Sequence, residues 1–358
     1  MAPEALILSL GGLAGVALIW IIPARLAWDG LAAWTVLVLA LLSPMSAVWL
    51  VGAGVMTPLA MALGDRVGHR GAVTLAWTAA LLAALFTARD WSGAYRIGGA
   101  YFTLRNLHVL LDWWTRRLAN PGIRRHLRYQ LVLPLLMVGP IHRLQHFERQ
   151  CERRRWETAD FLTGAERALF GAAMAVVLGN WACRHIEAGL ALVTAQWPAF
   201  WRDWVASAAD WVQIYFTFAG FSAVALGLML MMGLRIEENF DRPWAARDLI
   251  EFWTRWHMTL TRWCRDYVFQ VVAAATRSPL LGLAAGMLAM GLWHRASAYY
   301  VLWSVWQVAG VVGTRVARRA MAWSLPSGPS AVLGPVAVLG WLSLARPVLI
   351  RVLELTPQ

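Results

Sequence analysis

GLAAWTVLVLALLSPMSAVWLVGAGVMTPLAMALG, residues 30–64, contains no charged side chain. As one straight helix at ~1.5 Å per residue it would be about 52 Å long. A membrane needs less: about 20 apolar residues cross a ~30 Å hydrocarbon core. Ser43-Pro44 and Thr57-Pro58 interrupt the run, so two shorter membrane segments are expected. Comparable uncharged runs cover 5–24, 71–88, 211–234, 296–314 and 320–345, and at least five such runs are long enough to span. The reading is a polytopic, all-α membrane protein.

Composition agrees. The 358 residues are 59% hydrophobic and 15% charged, with a mean hydropathy of +0.53, whereas soluble domains carry about 25% charged residues. The first run begins MAPEA, without a basic n-region, and no small-x-small cleavage site follows it. It is therefore read as a retained membrane helix rather than a secretory signal. No linker, repeat or low-complexity tract divides the chain, so residues 1–358 are expected to form a single transmembrane domain. The hydrophilic stretch 142–160 is too short to be an extramembrane domain.

The net charge of +12 comes from arginine alone, since the sequence has no lysine. Arg116, Arg117, Arg124, Arg125, Arg128, Arg149, Arg153–Arg155, Arg315, Arg318 and Arg319 sit in short connections between apolar segments. That pattern marks cytoplasmic loops facing anionic headgroups, and it argues against nucleic-acid binding despite a pI of 10.8. Cys151, Cys183 and Cys264 are too few and too dispersed for a disulfide framework or a metal site. Trp20, Trp28, Trp49 and Trp91 near segment ends suit interfacial belts.

Three regions differ from plain spans. LVLPLLMVGPIHRLQHF (131–147) is apolar but cut by Pro134 and Gly139-Pro140, as in a re-entrant or broken helix. Such backbone is tolerated at membrane depth only where protein or a watery cavity satisfies it. IGGAYFTLRNLHVLLDWW (97–114) carries Arg105, Asn106, His108 and Asp112. Its His108–Asp112 pair at i, i+4 suits an amphipathic helix facing the bundle interior, with a catalytic pair as the sharper alternative.

ENFDRPWAARDLIEFWTRWHMTLTRWCRDYVF (238–269) is the most informative. At about 100° per residue from Glu251, a charged face gathers Glu251, Arg255, Thr259, Arg262 and Asp266. An aromatic face gathers Phe252, Trp253, Trp256, Leu260, Trp263 and Tyr267. Asp248 is the cap signal, and Arg262 with Asp266 is expected to pair as structural support. His257 lies at the edge of the aromatic face.

Of the eight histidines, His69, His126, His142, His146 and His185 sit near arginines and are read as surface residues. His257 and His294 each follow a tryptophan within apolar sequence, and ionisable residues at membrane depth mark function by default. A neutral imidazole suits a general base, although a satisfied structural histidine fits the same residues. No acidic or cysteine ligand accompanies either at helical spacing, so no metal is expected.

At these residues the sequence resembles the membrane-bound O-acyltransferases, in particular their bacterial alginate O-acetylation and teichoic-acid D-alanylation branch. VQIYFTFAGFSAVALGLMLMMGLRIEENFDRPW, EFWTRWHMTLTRWCRDYVF, GLWH with ASAYYVLWSVWQ, and LVLPLLMVGPIHRLQHF are similar to four motifs of that branch in the expected order. The likeness covers about 97–310. It departs at Thr217, where aspartate is common, at Arg295, where glycine is usual, and at Gln307, near a position often histidine.

The resemblance implies a bundle of roughly nine to eleven membrane segments, each needing ~20 residues, with re-entrant and amphipathic helices around a central tunnel. It implies His294 and His257 as catalytic residues, with Trp253, Trp256, Trp293, Arg295, Asn239 and Tyr300 lining the tunnel. The implied activity is O-acyl transfer at the bacterial inner membrane, with acetyl as the favoured group. No bound cofactor is implied; the donor is a thioester, acetyl-CoA or an acyl or aminoacyl carrier protein. The acceptor is a cell-envelope polysaccharide hydroxyl or a secreted or membrane-anchored partner of serine-hydrolase-like fold. D-alanyl transfer toward teichoic acid is the nearest alternative. A transporter or channel, or an inactive scaffold, is the rival of another class.

Overall fold

The computed structural model describes residues 3–89, 98–320 and 327–355, so Trp91 lies outside them. Every regular element among the described residues is helical. Five helical stretches are long and apolar enough to cross a membrane, and three shorter apolar helices accompany them.

The uncharged run opens as expected at Ser43 but not at Thr57-Pro58. Helix α1 (Pro3–Ile21) precedes α2 (Ala27–Leu42) and α3 (Pro44–Val67). The Ser43 hydroxyl accepts from the Ser46 amide at 3.3 Å, with Pro44 in the first turn, which starts α3 as caps do. Gly68, at φ +71°, ends it. Pro58 stays inside α3. There the Thr57 hydroxyl donates to the Ala53 carbonyl at 2.8 Å and Asn120 donates to the Pro58 carbonyl at 2.9 Å, in keeping with the tolerance of proline where neighbours take up backbone groups.

Two compact units make up the chain: Met1–Phe170 with Phe221–Glu237, and Gly171–Gly220 with Glu238–Gln358. The first continues with α4 (Arg70–Arg89), α5 (Gly99–Trp114), α6 (Gly122–Gln130), α7 (Leu133–Met137) and α8 (Leu144–Arg153). The broken segment is as expected: α7 is one short helix, and residues 138–143 are irregular yet largely buried. Side chains meet its backbone. His108 Nε2 accepts from the Leu144 amide at 3.0 Å, and the Tyr129 hydroxyl donates to the His142 carbonyl at 2.5 Å. Arg105 donates to the Gln130 carbonyl at 3.1 Å. His108 Nδ1 faces Asp112 at 3.2 Å, so this pair holds a chain reversal. His126 and His142 are fully buried beside Tyr129, contrary to the surface reading, because α6 and the break fold inward over Arg105. Burial, then His108 and Arg105, pushes the His126 imidazole down to about 3. Trp28 is also buried.

The long helices are α9 (Thr158–Ala173), continued by a π-helical stretch Met174–Ala182 into α10 (Cys183–Val193), and α11 (Ala199–Met231). Residues 158–193 form a further candidate span that no uncharged run announces, because Glu166, Arg167, Arg184 and Glu187 interrupt its apolar sequence. In the first unit, glycine lets α9 and α11 meet backbone to backbone, as small residues do in membrane helices. A Cβ on Gly227 would lie 2.5 Å from the Gly164 carbonyl oxygen and 2.7 Å from the Ala168 nitrogen. Gly227→Leu is therefore expected to destabilise the detergent-solubilised protein by about 1–3 kcal/mol, seen as a lower thermal midpoint.

The second unit adds a short 3-10 turn (Pro243–Ala245), α12 (Leu249–Arg255), α13 (Met258–Cys264), a π turn (Arg265–Phe269), α14 (Gln270–Thr276), α15 (Pro279–His294), α16 (Ala298–Ala320) and α17 (Ser327–Leu355). Its aromatic face is buried through Phe252, Trp253, Trp256, Leu260 and Trp263. The expected amphipathic helix is nevertheless not continuous, since it breaks at Trp256-His257.

Candidate active site

The break is built by two sequence motifs acting together. Asp248 caps α12, its Oδ1 accepting from the Ile250 and Glu251 amides at 2.9 and 3.0 Å. Seven residues later the helix stops, and His257 adopts a left-handed backbone, φ +42°. Non-glycine residues held there are uncommon and cluster at functional sites. The segment after Glu238 secures the turn: the Met258 amide donates to the Asn239 carbonyl at 2.8 Å, and the Asp241 amide donates to the Arg255 carbonyl at 3.0 Å. Arg242, itself left-handed at φ +44°, leads into Pro243.

The Asn239 side chain then fixes the imidazole. Its Oδ1 accepts from the Thr259 hydroxyl at 2.7 Å and faces His257 Nδ1 at 3.2 Å. An amide oxygen only accepts, so Nδ1 carries the proton and Nε2 the lone pair. His257 is 2% exposed, and burial, then nearby His294, holds it well below the ordinary histidine range. It is a neutral ring.

His294 is the last residue of α15 and is exposed. The apolar sequence around it suggested a residue within a span, but the helix ends there and the chain turns before α16. Gly291 makes the turn close: a Cβ on it would lie 2.7 Å from the Tyr300 carbonyl oxygen and 2.3 Å from Ser304 Oγ. Tyr300 consequently stacks on His294, centroids 5.7 Å apart with planes 17° apart, and Trp303 lies 6.3 Å away.

Both histidines line one cavity of about 350 Å³. Trp253, Trp256 and Tyr300, expected on the tunnel, line it as well. Three other expected residues are not among those lining it. Trp293 lies between the two imidazoles, 5.8 Å from His257 and 4.9 Å from His294, as a spacer rather than a lining residue. Asn239 is fully buried behind His257, as its hydrogen bonds require. Arg295 is exposed and off the cavity, because its extended backbone, φ −164°, leads the chain away after the helix end.

The support pair is also altered. Glu251 and Arg255 pair as the spacing predicts, at 2.5 Å. Asp266, however, is held by Arg265, Nε to Oδ1 3.0 Å, where Arg262 was expected. The π turn 265–269 widens the helix, so an i, i+4 register no longer aligns there.

Sequence reasoning missed Trp211, Phe218, Tyr299, Asp210 and Arg346 on the same cavity, which Trp303 also lines. Arg346 had a signal: a charge within an otherwise apolar stretch of α17. Trp211 and Trp256, 5.3 Å apart, also border a second, apolar cavity of about 590 Å³. Thr217 packs against Gly179, with Oγ1 2.5 Å from where a Cβ would stand.

Gln307 is fully buried, and neither polar atom of its amide has a hydrogen-bond partner among the described residues. An unsatisfied buried amide costs about 1–3 kcal/mol. Gln307→Met, close in volume and apolar, is expected to raise the thermal midpoint by that equivalent. A lower midpoint would show that the amide is satisfied in the working protein.

The architecture has parallels among known proteins. A model of the membrane-bound O-acyltransferase family matches residues 32–350. The chain is 30% identical over 214 residues to the probable alginate O-acetylase of Pseudomonas aeruginosa, covering 59% of this chain and 41% of that one. It is 27% identical over 234 residues to the teichoic acid D-alanyltransferase of Streptococcus thermophilus, covering 60% and 56%. With the peptidoglycan O-acetyltransferase of Helicobacter pylori it shares 24% over 240 residues, covering 58% and 45%. The chain thus spans about half the length of these curated relatives.

Proposed function

Since the chain belongs to the membrane-bound O-acyltransferase family, we propose that it moves an acyl group, acetyl in the first instance, from a thioester donor to a hydroxyl on a cell-envelope polymer or on a partner protein at the bacterial inner membrane. The donor is acetyl-CoA or an acyl or aminoacyl carrier protein. The partner is a secreted or anchored protein of serine-hydrolase-like fold. One observation carries this reading: a neutral, buried His257 and an accessible His294 share one tryptophan-walled cavity.

The chemistry follows from those positions. His294 takes the proton of the acceptor hydroxyl as general base. The oxygen attacks the thioester carbonyl, and the tetrahedral adduct collapses with the thiolate leaving, which takes from His294 the proton that the acceptor hydroxyl gave up. His257 presents a lone pair at Nε2, which suits accepting a hydrogen bond from a second hydroxyl of the acceptor. That role fits its tautomer better than donating to the oxyanion. Trp211, Trp253, Trp256 and Trp303 keep the cavity wall apolar, which limits competing hydrolysis of the thioester. D-alanyl transfer from a carrier protein is the second reading, supported by the similarity to the teichoic acid D-alanyltransferase. The test follows labelled acyl transfer into the envelope fraction with His294→Ala; unchanged transfer at normal protein level would remove the assignment.

A further inference from the structure

Among the described residues, Arg346 and Asp210 are the only acidic or basic side chains other than histidine on the wall of the 350 Å³ cavity. They pair with each other between α17 and α11, and both stay accessible, with side chains 49% and 40% exposed. Their place along the helices is defined. The Trp306 indole donates to the Trp341 carbonyl at 3.1 Å and stacks on the Trp341 ring, so α16 and α17 run past each other there. Arg346 therefore lies toward the Tyr299–Tyr300 end of α16. Arg318, bound to Asp248, marks the other end of α16, about 27 Å along the helix from Tyr300 at ~1.5 Å per residue.

The same two helices supply a comparison. Arg351 and Asp203 pair across them at 3.4 Å, with Arg351 also over the Phe200 ring at 5.0 Å, and neither lines the cavity. The Trp204 indole donates to Ser343 Oγ at 2.8 Å nearby. These contacts already clamp α11 to α17, whereas the Arg346 pair is turned to the space in front of His294. A guanidinium binds carboxylates and phosphates through two parallel donors. Here one carboxylate holds it in a partly exposed setting where such pairs are worth little. Exchange for an incoming anion is correspondingly easy.

We propose that Arg346 is the recognition group for an anionic acceptor. A carboxylate or phosphodiester on the polymer displaces Asp210 from Arg346 and brings a neighbouring hydroxyl to His294. This rests on the reading of the cavity as the transfer site, and it narrows the acceptor to acidic polymers.

The test measures binding, so that it does not depend on catalysis. The full chain in neutral-lipid nanodiscs is titrated calorimetrically with an oligouronate, a glycerol-phosphate oligomer and a neutral oligoglucan of equal length. Asp210→Asn, which frees Arg346, is expected to bind an anionic probe about tenfold tighter than the parent, equivalent to about 1.4 kcal/mol. Arg346→Gln is expected to bind it at least tenfold more weakly. Arg351→Gln should match the parent, and the glucan should respond to none of the changes. Preference between the two anionic probes identifies carboxylate or phosphate. Equal weakening by Asp210→Asn and Arg346→Gln would mark the pair as a clamp and overturn the proposal. So would an Arg346→Gln affinity within twofold of the parent, or no anionic binding by Asp210→Asn. Full transfer activity in His294→Ala would instead remove the catalytic reading and leave the binding result standing.

Discussion

His294→Ala will lower the rate of acyl transfer by about 10²–10⁴-fold, the usual contribution of a positioned general base. One structural fact makes this loss specific to chemistry. His294 is exposed at the end of α15, so removing its ring opens no core cavity, and the thermal midpoint should stay within the equivalent of about 0.5 kcal/mol. The loss should fall on kcat, with the KM for the donor little changed, because the ring handles a proton rather than the bulk of the donor. His294→Gln, which keeps a polar side chain but not a base, should be as inactive as alanine. A glutamine variant retaining more than a tenth of the activity would show that position 294 only hydrogen-bonds.

The second large effect is expected from a residue off the cavity. Asn239→Ala removes the oxygen that receives both His257 and Thr259. The Asn239 backbone carbonyl, which holds the Met258 amide, remains. The break should therefore persist while the imidazole loses its tautomer and its aim, and misplacing a positioned group by about 1 Å costs about 10²-fold. On the proposed reading Asn239 acts through His257, as a positioning residue. The signature is a fall in kcat with an unchanged donor KM, and recovery of most activity in Asn239→Asp, which restores an acceptor oxygen. Equal loss in alanine and aspartate, with aggregation of both, would reduce Asn239 to a folding role.

Helix class was readable because long uncharged runs have one solution in a bilayer, and the 30–64 run opened at Ser43 through its cap and proline. Pro58 misled, because a helix packed against neighbours tolerates a proline that sequence alone reads as a break. The 158–193 span was hidden by Glu166, Arg167, Arg184 and Glu187. Periodicity located the buried aromatic face of 249–264. It did not reveal the break at His257, since two helices separated by a left-handed residue can preserve the sidedness of one. Arg346, about 36 residues beyond the resembling core, and Asp210 became visible only when α11 and α17 brought them together. Asn239 was identified as a site residue, yet its place behind His257 depends on two hydrogen bonds that no spacing encodes.

The stitching of residues 239–241 to 255–258 has a wider bearing. The intervening chain is a closed ring, pinned where it begins and where it returns, with Asp248 capping the helix inside it. A ring of this kind carries its own ruler: the distance from the positioning amide to the imidazole is set by the loop's internal contacts. Such a cassette can keep its geometry while helices elsewhere lengthen, shorten or diverge in sequence. Inserting or deleting a residue between 242 and 256 is the kind of change it cannot absorb.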